Sequence, residues 1–185
     1  MFSQPRQDNN TAGGHIAGRD VVTNNFGGGK ATQIERLYQL LKADAENGAS
    51  APEFIEQLQH FMGVIPTKAS RTLADKLSST GRADLTVMAV VAKERAAKKI
   101  MRFETSAAAQ EIFAYVLGEL HTKYLSHIRP LIAAGANRIQ IDSAMEERVI
   151  RPVTDAMEPS TLGVTPDMVI AMLFYLAGNC HVEWD

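Results

Sequence analysis

Cysteine is almost absent: Cys180 is the only one in 185 residues, so no internal disulfide can staple the fold and nothing in the composition marks an oxidising compartment. One tryptophan, Trp184, and an aromatic share of 6% leave most of any core to aliphatic side chains. Charge of one sign is lacking too, because a net charge of -2 exerts no global pull toward nucleic acid or anionic membrane. Such a partner would need a local patch. The longest apolar run, Met168 to Ala177, has ten residues, where a membrane-spanning helix needs roughly 20. The opening MFSQPRQDNN has no apolar signal segment. The expectation is a cytoplasmic chain with no membrane partner. Catalytic signatures are missing as well: no GxSxG, no HExxH, no CxxC pair, no GxxxxGK[ST] and no GxGxxG. No enzyme, cofactor or metal is expected from these patterns.

What is present is unevenly distributed. Six of the thirteen glycines, Gly13, Gly14, Gly18, Gly27, Gly28 and Gly29, fall in the first 30 residues, with four asparagines between Asn9 and Asn25. Residues 1 to 31 read as an irregular leader. Only HIAGRDVVTNNF within it has β character, through Ile16, Val21, Val22 and Phe26. A two-stranded piece of this size does not hold together alone in water. Its order must come from pairing, so Ile16, Gly18, Arg19, Asp20, Val21 and Val22 are the candidates for pairing with another copy or a partner. A Gly/Asn-rich phrase with a few β-branched residues could alternatively stack as an amyloid-type signalling motif. Gly27-Gly28-Gly29-Lys30 lacks the buried strand and the spacing of a phosphate loop and reads as a hinge.

Residues 32 to 185 read as one mainly α domain of about six to seven helices ending in a short strand. Helices are predicted from Thr32 to Asn47 and, opened by the Ser50-Ala-Pro-Glu53 capping box, to Met62, the two forming a hairpin. Others follow over Ser70 to Ser79, Asp84 to Phe103 with a stripe of Leu85, Ala89, Ala92, Ala96, Ile100 and Phe103, and Ser106 to Ile128, ending before Pro130. A helical stretch between Ala136 and Met157 should bend or divide at Pro152. Thr165-Pro166-Asp167 opens a last helix, apolar on all sides, that Gly178-Asn179 stops. CHVEW then alternates Cys180, Val182 and Trp184 against His181 and Glu183, as a packed strand would.

Few residues invite chemistry. His121 and His127 are six apart on one helix, about 240° around its axis, and cannot share a metal from that helix alone. Cys180 and His181, as strand neighbours, would point to opposite faces and make a poor nucleophile and base. Asp142, Glu146 and Glu147 read as a solvated face. Basic residues carry more: Arg95, Lys98, Lys99 and Arg102 recur at i, i+3, i+4 and i+7 as a cationic face suited to an acidic partner. Nucleic acid is the alternative for that face, less favoured because no aromatic is interleaved for base stacking.

Two phrases go further. GGHIAGRDVVTNN resembles the Gly-Arg-Asp-Val phrase near the start of many bacterial conflict-system proteins, and MLFYLAGNCHVEWD resembles the end of the domains that mark the ABC-three-component systems. The matching positions are Gly18, Arg19, Asp20 and Val21, and Gly178, Asn179, Cys180, His181 and Trp184. The resemblance implies a component of an antiphage-type system in which an ABC-type ATPase, a middle protein and an effector act together. With about 150 residues of helix plus a leader using the whole chain, it implies a non-enzymatic assembly component, homo-oligomeric through its leader, whose ATPase and effector are encoded separately.

Overall fold

The computed structural model describes residues 29–47, 54–65, 71–157 and 162–185. The leader up to residue 28, with Ile16, Gly18, Arg19, Asp20, Val21 and Val22, lies outside them, while Gly29 and Lys30, expected as part of a hinge, and Ala31 are already helical. Among the described residues there are seven helical stretches and no strand. They are α1 (Gly29–Asn47), α2 (Glu56–Met62), α3 (Leu73–Ser79), α4 (Thr86–Arg102), α5, α6 and α7 (Pro166–Gly178). Helix α5 is built of Ala107–Lys123, a wide turn Tyr124–Ile128 and Arg129–Ala133. Helix α6 is built the same way from Arg138–Met145, Glu146–Ile150 and Arg151–Asp155.

The core forms around α7. Its run Ala171 to Ala177 is buried throughout, as a helix apolar on all sides requires. Helix α4 lays its small stripe of Ala89, Ala92 and Ala96, with Ile100, along α7, and the short side chains let the two backbones come close. Gly178 belongs to this approach, since a Cβ there would lie 2.5 Å from Lys93 Cδ. On another side α5 presents Phe113, Val116, Leu117, Leu120, Tyr124 and Ile128, all buried on the expected stripe. Helices α1 and α2 both pack on α5 instead of forming a hairpin with each other.

Local chemistry explains the boundaries. Thr72 caps α3 in a reciprocal box with Asp75, and Asn137 caps α6 with Gln140. Helix α2 starts only at Glu56, because the Ile55 amide is held by the buried Gln110 Oε1 at 2.7 Å and Phe54 and Ile55 stay extended. The wide turns precede Arg129-Pro130 and Arg151-Pro152. Lengthening the hydrogen bonds there, Arg129 N–H to Tyr124 O and Arg151 N–H to Glu146 O, makes room for a proline ring and its missing donor. Both helices therefore run through prolines where the sequence suggests a stop at Pro130 and a break at Pro152.

Helices α3, α5 and α7 end in the same device. The residue after the cap is left-handed, Gly81 (φ 70°), Gly135 (φ 75°) and Cys180 (φ 67°), and the next N–H reaches back five residues, as from His181 to Leu176 O at 2.9 Å. The expected carboxyl-terminal strand does not form. Cys180 turns the chain, and Val182 and Trp184 are buried against the core with no partner strand among the described residues.

Candidate functional site: the carboxyl-terminal clasp and the outer face of α4

The segment after α7 is fastened by side chains from four other helices or their flanks. Lys76 on α3 is 1% exposed, and its Nζ donates to Ala177 O at 2.9 Å and contacts Cys180 Sγ at 3.0 Å and Glu183 Oε1 at 3.7 Å. Leu73, Lys76 and Leu77 share the inner face of α3, so the i, i+3, i+4 spacing already signals an inward lysine. Arg71 holds both carboxylate oxygens of Asp185, which keeps that carboxyl below its ordinary range. Arg82, also buried, donates to Asp142 Oδ1 at 2.7 and 3.1 Å and to Thr80 O, and lies 5.8 Å from the ring centre of Trp184. Tyr124 donates to Glu183 O at 2.7 Å and accepts from Glu183 N–H at 3.2 Å.

Asn179 and His181 tie the clasp to α2. Asn179 Nδ2 donates to Phe61 O at 3.0 Å, and the Ile65 N–H donates to Asn179 O at 3.1 Å. His181 Nε2 meets Gly63 O at 3.1 Å; a carbonyl only accepts, so this nitrogen carries the proton. His181 Nδ1 is buried with no hydrogen-bond partner among the described residues. The His181 ring centre lies 5.1 Å from His60, 5.4 Å from Phe61 and 5.7 Å from His121, edge to face. Burial pushes the imidazoles of His121 and His181 down, and the neighbouring His60 adds to the effect. No group of three or more metal-binding side chains is arranged to hold an ion among the described residues. His127, by contrast, is exposed on the wide turn.

Several sequence-based candidates thus fall together: Gly178, Asn179, Cys180, His181 and Trp184 form one clasp. Cys180 and His181 diverge, one toward Lys76 and the other toward Gly63. Glu146 and Glu147 are exposed, and Asp142, with its side chain 41% exposed, keeps to that solvated side while holding Arg82 and Arg138.

The four basic residues of α4 separate. Arg95, Lys98 and Arg102 are exposed, although Arg95 Nη2 donates to Asp167 O at 2.9 Å and Lys98 lies 3.9 Å from Glu94. Lys99 turns aside, 5.3 Å from the ring centre of Phe103, and partial burial lowers its basicity. The first half of the same outer face is apolar. Val87, Met88 and Val91 are exposed, at 79% for Val87 and 62% for Val91. With Asp84, Ala92, Arg95, Asp167 and Ile170 they line a groove of about 660 Å³. The run TVMAVVA, apolar on all sides around a stripe of alanines, was the signal for this patch.

A second groove, about 670 Å³, lies between α1, α2 and α5 and includes His60, Glu56, Tyr115 and Glu119. No helix among the described residues is long and apolar enough to cross a membrane.

Comparison with protein families matches residues 72–184 to C-terminal domain 9 of the ABC-three component (ABC-3C) systems. The match runs from the N-cap of α3 to Trp184 of the clasp, so it takes in the intervening helices as well as the terminal phrase. Gly18, Arg19, Asp20 and Val21 lie outside it. Comparisons with curated proteins and with solved structures return no match. With more than half its length matched, from α3 through the clasp, the chain belongs to the family of C-terminal domain 9 of the ABC-three component systems.

Proposed function

We propose that the chain is a non-enzymatic assembly component of a bacterial antiphage-type conflict system, acting in the cytoplasm without a cofactor and docking a separately encoded ATPase or effector. The observation that carries this reading is how the clasp spends its chemistry. Lys76, Asn179 and Tyr124 bind the chain's own carbonyls, which fixes the end of α7 against α3, α2 and α5, and Arg82 holds Asp142 of α6. A rigid body with an exposed cationic half-face at Arg95, Lys98 and Arg102 suits an acidic surface on a partner subunit. The leader, through Ile16, Gly18, Arg19, Asp20, Val21 and Val22, adds self-association by pairing between copies.

Replacing Arg95, Lys98 and Arg102 together by glutamate tests the docking face. Capture of the co-expressed ATPase component should fall by about tenfold or more, while the parent protein should leave a DNA duplex unbound at physiological salt. Intact capture combined with loss of a DNA affinity present in the parent would assign the face to nucleic acid instead.

A further inference from the structure

We infer that the first half of the outer face of α4 is a two-fold interface with a second copy of this chain, the two α4 helices packing antiparallel. The inference stands apart from the partner components, since it needs only the chain itself. Val87, Met88 and Val91, flanked by Asp84 and Arg95, occupy one stripe at spacings of three, one, three and four residues. A helix spaces such positions along one face, so the stripe has a direction and two ends. It is also symmetric about the midpoint between Ala89 and Val90. Reversing a second helix over that midpoint sets Met88 against Val91 and Asp84 against Arg95, each pairing occurring twice, as an isologous interface demands.

The shapes agree with that register. Val87, at 79% exposed the most protruding apolar side chain of this stripe, flanks the seam, and Ala92, small and buried between Met88, Val91 and Ile170, lets the second helix approach closely. The charges agree as well. The carboxylate of Asp84 is aligned by Arg138 at 2.8 Å, which lowers it from its ordinary value and keeps it charged. Arg95 is set by the Asp167 carbonyl at the other end of the groove. Each acid would meet a base, whereas a parallel arrangement would set like against like. The apolar patch is of the limited size that serves a weak or moderate dimer.

Sedimentation and light scattering on the full chain, from low concentration to about 100 μM and thus above micromolar dissociation constants, should give a dimer. In a chain lacking residues 1–28, where pairing by the leader is removed, Val87→Glu with Val91→Glu should give a monomer with unchanged helical circular dichroism, because both positions face solvent. A chain lacking residues 1–28 should remain dimeric. In a mixture of Met88→Cys chains with Val91→Cys chains, oxidation should link the two species to each other in preference to themselves. A monomer at every concentration overturns the inference. So does a dimer of the shortened chain that survives the two glutamates, or a dimer lost on removal of residues 1–28, since the contact would then lie elsewhere.

Discussion

Lys76 Nζ lies 3.0 Å from Cys180 Sγ, and the contact joins a buried cation on α3 to a residue held in the left-handed region at the end of α7. The same ammonium takes the Ala177 carbonyl at 2.9 Å, so one side chain both neutralises part of the negative end of α7 and fixes where the chain turns. The clasp depends on this lysine more than on any of its surface ion pairs, which solvent screens.

Lys76→Ala should destabilise the protein by about 2–4 kcal/mol, through the cavity and the lost hydrogen bond. Lys76→Met keeps most of the packing and should cost less. Urea unfolding followed by the fluorescence of Trp184, the sole tryptophan, measures both.

Cys180→Gly should be close to neutral. It relieves a left-handed residue, a gain of about 1 kcal/mol, and gives up the sulfur contact. Cys180→Val places a β-branched side chain at φ 67° and should cost about 2 kcal/mol or more. Thermal melts of the two variants would contradict this if the valine chain proved the more stable.

Arg82→Lys should behave as a drastic change. A lysine cannot reproduce the fork onto Asp142 and Thr80 together with the stacking beside Trp184, and about 1–3 kcal/mol should be lost. The emission of Trp184 should shift in the folded variant, and an unchanged spectrum and midpoint would contradict the assignment.

Acid should act in two separate windows. His121 and His181 are held below their ordinary value, so the folded state prefers them neutral while the unfolded chain protonates near 6.5. Their contribution is complete above that pH and is lost as pH falls through their depressed folded values. Asp75, Asp84 and Asp185 are also held low, so their contribution is lost only further down, below the ordinary carboxylate range. Urea midpoints should therefore begin to fall just below neutrality, and His121→Gln should reduce the slope there without altering the lower window.

Periodicity made much of this architecture legible before any coordinates. The stripes of α4 and α5 and the Thr165-Pro166 start of α7 follow from local rules that tertiary packing reinforces. Where the reading missed, a tertiary contact decided. Gln110, 55 residues away, determines where α2 begins, and widened turns absorb Pro130 and Pro152, which the rule for prolines in regular helices does not foresee. The alternation in CHVEW marked Val182 and Trp184 as buried, yet the same pattern suits an extended segment anchored by Tyr124 as well as a strand. The clasp's terminal residues were legible as a phrase. Its long-range partners Arg71, Arg82 and Tyr124 were not, because nothing local links them to the chain end.

The assembly reading is tested most directly by mass. The full chain should be co-expressed with the ABC-type ATPase and the middle component of its own system, singly and together, and each purified species measured by size-exclusion chromatography with light scattering. The expected result is a stable complex whose mass contains this chain and at least one of those components, weakened when Arg95, Lys98 and Arg102 are reversed. Elution of this chain by itself in every combination would contradict it.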